Sequence, residues 1–222
     1  MKNRLGTLSS ELSGSLQKRV SMILSKEEIN KLIADKEFVI SPLLEIDQIG
    51  ELTIDFRLGY NFLVTIHSNN PFLDASLNND DKFPLKSSFQ ETRRLLGDTF
   101  LLHPNQTVLA SSLEYIKLPQ NVYAVLSMRS SYLRMGISLS AIIQPGYCGC
   151  ISIELANLNT IPINLTVGAA IFQARLYYTN AVTNYFAKKR KYICQVRPVA
   201  SNVNEDNDLK ELNKIWESNN YK

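Results

Sequence analysis

The sequence predicts a mainly β domain carrying a short helix before it and another after it. Two observations give the β body: apolar or alternating segments of strand length recur between residues 38 and 178, and turn signals separate them at Gly50, Gly59, Pro104, Pro119, Pro145 and Gly168. Many short strands at such spacing define a sandwich or barrel. The third observation is that helical periodicity is confined to the two ends. At 222 residues and 45% hydrophobic content, the chain can fill one all-β core. It shows no internal repeat and no second domain.

Residues 1–21 are polar and Ser/Gly-rich, and read as an N-terminal extension or appended short helix. Ser25 and Glu28 form a capping box, with Leu24 and Ile29 placed as a hydrophobic staple. The helix they start should run to about Asp35 and bury Ile29, Leu32 and Ile33. Strands are expected at 38–40, 52–58 and 60–66, then a polar excursion or flap over 67–99. Further strands are expected at 99–102, 106–110, 113–118, 122–128, 137–143, 149–155, 161–165 and 170–178. Residues 185–201 are basic and irregular, and Lys/Arg runs of this kind commonly form solvated tails. Residues 207–216 read as a helix presenting Leu209, Leu212, Ile215 and Trp216 on one face. Trp216, the sole tryptophan, would pack this tail onto the body or a neighbouring subunit.

Composition narrows the function. With 24 basic and 21 acidic residues the net charge is only +3, too mild for general nucleic-acid binding. Cys148, Cys150 and Cys194 make an odd count with no disulfide framework. Cys148 and Cys150 lack structural zinc spacing, and only His67 and His103 could join them. No apolar run reaches transmembrane length, and no hydrophobic signal core opens the chain. A reducing cytoplasm, without membrane association, is the expectation.

The chemistry concentrates between Met128 and Glu154. Arg129-Ser130-Ser131-Tyr132-Leu133-Arg134 packs two arginines and two serines into six residues, and guanidinium forks and hydroxyls suit phosphate oxygens. Glu154 is a lone carboxylate in the apolar run 151–155, where desolvation by its flanks Ile153 and Leu155 would raise its pKa toward a proton-transfer role. The same residues also suit a surface turn and a core-edge glutamate with a structural partner.

Four ordered segments resemble the dCTP deaminase family, whose trimeric β fold is shared with dUTPases. Arg129 to Gly136 resembles R-S-S-x-x-R-x-G, and Ile54 to Phe62 resembles I-D-x-R-L-G-x-x-F. Pro145 to Asn157 resembles P-G-[WFY]-x-G-x-[IL]-x-[IL]-E-[LF]-x-N, and Lys191 to Ser201 resembles the closing segment K-Y-x-x-Q-x-x-x-V-A-S. Residues 22–25, Met-Ile-Leu-Ser, also resemble the family's start. The resemblance covers 22–202, with 185–201 as a closing lid and 203–222 as a helical tail beyond it. It implies a dUTPase-like distorted barrel or jelly roll and a homotrimer with sites at subunit interfaces.

The implied reaction is hydrolysis of dCTP to dUTP and ammonia, supplying dUMP and dTTP synthesis. The H-x-E…P-C-x-x-C pattern of zinc deaminases is absent from the sequence, so the resemblance implies a zinc-free route. Glu154 would be the proton carrier, and Ser130 and Arg134 would hold the attacking water and the tetrahedral centre. Arg129 and Ser131 would grip the triphosphate, which carries Mg²⁺. Ser140, Ala141 and Ile142 would offer backbone to the cytosine, and Gln144 would face the sugar. Tyr185, Lys191, Tyr192 and Gln195 would close over the nucleotide, although Tyr185 stands one residue nearer Lys191 than the family spacing.

Two departures qualify the resemblance. Gln144 occupies a position where dUTPases carry aspartate; an amide is not basic, which disfavours dUTP hydrolysis. The segment 135–144 is also shorter than the family pattern. The alternative functions are a dUTP diphosphatase or bifunctional enzyme, and a non-catalytic nucleotide-binding regulator using the 67–99 flap and the terminal helix as partner surfaces.

Overall fold

The computed structural model describes residues 22–66, 73, 75, 85–187, 190–203 and 207–220. The expected extension at 1–21 and most of the flap, including His67, therefore lie outside the described residues. Helix α1 spans Lys26–Ala34 and is capped as its sequence dictates. Ser25 N donates to Glu28 Oε2 at 2.8 Å, and Glu28 N donates to Ser25 Oγ at 3.4 Å. Leu24, Ile29 and Leu32 are buried, while Ile33 packs at the core's margin.

The strands are β1 (Val39–Ser41), β2 (Ile54–Thr65), β3 (Phe89–Arg93), β4 (Thr99–Leu102), β5 (Thr107–Lys117), β6 (Val122–Met128), β7 (Ile137–Ser138), β8 (Ser140–Ile143), β9 (Cys148–Asn157), β10 (Ile163–Thr166) and β11 (Ala170–Tyr178). Nine form one sheet along the path β7-β9-β5-β2-β11-β6-β8, with β1 on β5 and β3 on β2; β4 and β10 form a separate pair. Strands β7 and β8 terminate opposite ends of that path, yet only Leu139 separates them in sequence. The sheet must therefore curl back on itself into a nearly closed barrel, as the sequence predicts. Inward residues alternate along β6, where Val122, Ala124, Leu126 and Met128 are buried. Phe56 stacks on Phe172 at 5.5 Å, and Phe62 on Phe100 at 4.0 Å, joining the small sheet to the barrel.

The expected strands at 52–58 and 60–66 are one strand, β2, whose pairing with β5 shifts register between Leu58 and Phe62. Gly59 lies in that irregularity, and a Cβ there would stand 2.7 Å from Ser111 O and 2.9 Å from Ser112 O. The glycine is therefore a site of close backbone approach rather than a turn. Gly59→Ala is expected to lower stability by about 1–3 kcal/mol through overpacking against main chain, read as a drop in denaturation midpoint at unchanged slope. The 67–99 segment also needs correction, because residues 89–93 form β3 along the β2 edge.

One buried polar cluster escaped the sequence reading. Glu114 is fully buried; it accepts from Gln48 Nε2 at 2.9 Å and Arg57 N at 3.0 Å. Arg57 Nη1 donates to Gly168 O at 3.1 Å, so this motif arginine ties β2 to the turn before β11. Burial pushes the Glu114 carboxyl above the usual range despite those donors.

The C-terminal helix spans Asn207–Asn220, longer than expected. Its Leu212, Ile215 and Trp216 are 49%, 56% and 64% exposed, so within one chain they do not pack onto the body as expected.

Candidate active site

Six of the expected site residues divide between two clefts, Glu154, Tyr192 and Gln195 in one and Arg129, Ser130 and Ser131 in the other. The first, of about 370 Å³, is lined by Leu109, Ile143, Tyr147, Ser152, Glu154, Tyr192, Gln195, Pro198, Val199 and Ser201. Strand alternation explains its floor: Ile151, Ile153 and Leu155 of β9 face the core, which leaves Ser152 and Glu154 facing outward. This corrects the expected source of desolvation. Ile153 and Leu155 point away from the carboxylate, whereas Leu109 lies directly opposite it on β5. Glu154 is open to solvent at the cleft mouth, yet burial of its carboxyl by the surrounding protein still pushes its pKa upward.

The roof of this cleft is the segment read first as a solvated tail. It is irregular, but it docks on β9. Cys150 N donates to Gln195 O at 2.7 Å, and Ser152 Oγ donates to Gln195 Oε1 at 3.1 Å. Asn202 N donates to Tyr192 Oη at 3.0 Å. Cys148 and Cys194 are disulfide-bonded with their Cα atoms 5.0 Å apart, which corrects the reading of an odd cysteine count with no disulfide framework. Parity in the sequence hid the pair because Cys150, the third cysteine, remains free. Gly149 has φ +140°, and a Cβ there would meet Gln195 O at 2.6 Å. Its missing side chain is the space the roof occupies.

Tyr185 is buried and does not line the cleft. Its hydroxyl donates to Tyr192 O at 3.2 Å, its ring meets Tyr147 edge-on at 6.0 Å, and Arg190 lies 4.5 Å over its face. It supports the roof from below. Lys191 is half-buried beside Tyr192 and is likewise not among the lining residues. Of the other basic tail residues, Lys188 and Lys189 lie outside the described residues.

The second cleft, of about 590 Å³, is polar: Thr53, Asp55, Ser127, Met128, Arg129, Ser130, Ser131, Leu133, Gln173 and Arg175 line it. Helix α2 (Ser130–Leu133) follows β6 directly, and its first residues present the two serines. Arg134 caps its far end and is exposed. Asp55, which the sequence reading did not select, pairs with Arg129 at 3.2 Å. Burial nonetheless outweighs that arginine and Arg57, and pushes the Asp55 carboxyl upward.

Ser140, Ala141 and Ile142 lie on β8, which pairs with β6 on one side and ends the strand path on the other. Gln144 is exposed, and its carbonyl accepts from Tyr147 N at 3.2 Å in the following turn. Within one chain, then, Glu154 lies in the roofed cleft and Ser130 in the polar one, with Arg134 at the end of α2.

The barrel is of a kind found among nucleotide deaminases. It superposes on the 2′-deoxycytidine 5′-triphosphate deaminase of Agrobacterium tumefaciens with a TM-score of 0.54 at 22% identity, covering 73% of this chain and 48% of that one. A dCTP deaminase-like family model matches residues 23–179. The "dCTP deaminase, dUMP-forming" of Dictyoglomus turgidum is 34% identical over 197 residues, covering 86% of this chain and 99% of its own. The dCTP deaminase of Pasteurella multocida is 33% identical over 195 residues, covering 83% and 100% respectively. The chain belongs to the dCTP deaminase family.

Proposed function

We propose that this chain deaminates dCTP hydrolytically, with Glu154 moving the protons. The observation that carries the reading is the placement of this carboxylate: its pKa is raised, and it lies in a roofed, largely apolar cleft. Water attacks cytosine C4 as Glu154 takes one of its protons and passes it to N3. Glu154 then takes the remaining hydroxyl proton and delivers it to the amino group, and ammonia leaves as the C4 carbonyl forms. Ser130 and Arg134 hold the water and the tetrahedral centre. Arg129 and Ser131 bind the phosphates, the open edge of β8 meets the base, and Tyr192 and Gln195 exclude water from above.

Because the Arg/Ser cleft and the Glu154 cleft are separate in one chain, we place each complete site between subunits of a homotrimer. One copy supplies Arg129, Ser130, Ser131 and Arg134, and its neighbour supplies Glu154. The polar cleft fits Mg²⁺ carried on the triphosphate. Among the described lining residues Asp55 is the one carboxylate, and it is already paired with Arg129. When bound, Mg²⁺ would spread the phosphate charge.

The second reading concerns the product. Relatives named dUMP-forming favour continued hydrolysis to dUMP, whereas Gln144 lacks the basicity to prepare a second water. We place the product at dUTP. Incubation with dCTP and Mg²⁺ is expected to release ammonia with dUTP accumulating. Pyrophosphate appearing in step with ammonia would establish the bifunctional reaction. Pyrophosphate from dUTP without ammonia from dCTP would make the chain a diphosphatase, and nucleotide binding without turnover would make it a regulator.

A further inference from the structure

Asp55 poses a question of charge. A carboxylate repels the phosphate oxygens themselves, yet Asp55 lines the cleft beside Arg129, Ser130 and Ser131. Arg129 supplies the answer. Its Nε forms an ion pair with Asp55 Oδ2 at 3.2 Å, and its Nη1 donates to Ala170 O at 3.0 Å. Its backbone N donates to Ile171 O at 3.0 Å. A guanidinium has five N–H donors in a rigid plane. An ion pair at Nε and a hydrogen bond from Nη1, on different nitrogens, fix both the position and the tilt of that plane and leave the second Nη1 donor and both Nη2 donors for a ligand.

Asp55 is itself held by the sheet. It lies opposite Gln173 of β11, which lies opposite Ser127 of β6, which lies opposite Ser140 of β8. Directly opposed residues share a face, so a polar row crosses four neighbouring strands from the arginine to the β8 edge. Gln173 Nε2 donates to Ser127 Oγ at 3.3 Å within that row. The anchor for Arg129 is thus built on strands rather than on a loop, which is where a binding geometry can be held within fractions of an ångström.

We infer that Asp55 is a positioning residue that turns Arg129 so that its remaining N–H donors meet the polyphosphate of the substrate. This rests on the proposed reading of the Arg/Ser cleft as the phosphate site. The acceptor oxygen matters more than the charge, so Asp55→Asn should hold the arginine and Asp55→Ala should release it.

The test measures steady-state kinetics with dCTP, together with competitive inhibition by inorganic tripolyphosphate, a probe with no base to bind. Wild type, Asp55→Asn, Asp55→Ala, Arg129→Ala and the Asp55→Ala/Arg129→Ala double variant are compared. Asp55→Ala should raise the dCTP KM and the tripolyphosphate inhibition constant about tenfold with kcat changed less than about threefold. Asp55→Asn should stay within about threefold of wild type in both. In the Arg129→Ala background Asp55→Ala should add nothing, because there is no guanidinium left to orient. Equal losses with and without Arg129, or a fall in kcat at unchanged KM, would overturn the assignment alone. A wild-type protein that tripolyphosphate does not inhibit would overturn the phosphate reading and the assignment with it. Asp55→Ala should carry its tenfold loss at a melting temperature equal to that of wild type; a loss that follows a lowered melting temperature would make Asp55 a folding residue and overturn the assignment.

Discussion

Glu154→Gln is expected to reduce kcat for dCTP deamination by roughly 10²–10⁴-fold, the usual contribution of a positioned general acid–base, while nucleotide affinity changes little. Glutamine is close in shape, so the outward side of β9 and its pairing with Leu109 remain in place. What disappears is a group that can take a proton from water and give it back. A glutamate serving only the fold would show the reverse: a shifted melting temperature and kcat reduced no further than the loss of folded protein.

The pH profile supplies a second reading of the same residue. The carboxyl is pushed upward because burial disfavours its charged form. The ionised form is the one that can accept water's proton, so activity should fall as pH decreases through the raised pKa. The midpoint of that acid limb belongs above the usual carboxylate range. An acid limb at or below the ordinary range, or one that persists in the residual activity of Glu154→Gln, would remove Glu154 from the role.

The sequence made Glu154 legible as a residue but not its surroundings. Strand alternation predicts that Ile151, Ile153 and Leu155 share one face, and they do. It also predicts that they cannot desolvate Glu154, because adjacent side chains on a strand point to opposite faces. The desolvating group had to come from other strands and from the tail, and no local pattern encodes such contacts. Gly59 shows the same limit: read locally it is a turn, whereas its need for space arises from β5 carbonyls more than fifty residues away. Motif order overcame part of that limit at 191–201. Charge composition alone describes a solvated tail, while Tyr192 and Gln195 in their family register describe a roof, and the backbone bond from Cys150 to Gln195 follows the second description. Arg129 stood out in the sequence as a candidate phosphate ligand from its forked chemistry. Asp55 did not stand out, because its partner lies at the end of β6, two strands over in the sheet and more than seventy residues on in the chain.

Gly149→Ala is expected to displace that roof and raise the dCTP KM about tenfold or more, equivalent to about 1.4 kcal/mol of lost closure per decade. A methyl group at this position would meet Gln195 O at 2.6 Å and Gln195 N at 3.0 Å, both main-chain atoms that cannot rotate aside. The φ of +140° adds strain for any L side chain, so a damaged strand is the competing explanation. Truncation after Ala187 separates the two, since it removes the roof and leaves β9 intact. In the truncated chain Gly149→Ala should add little to an already raised KM, because the atoms it collides with are gone. In the full chain, measured with dithiothreitol so that the Cys148–Cys194 bond does not hold the segment down, it should also speed proteolysis within 188–197. Equal cost in both backgrounds, or a full-length variant with unchanged KM and unchanged cleavage, would show that Gly149 serves the strand rather than the roof.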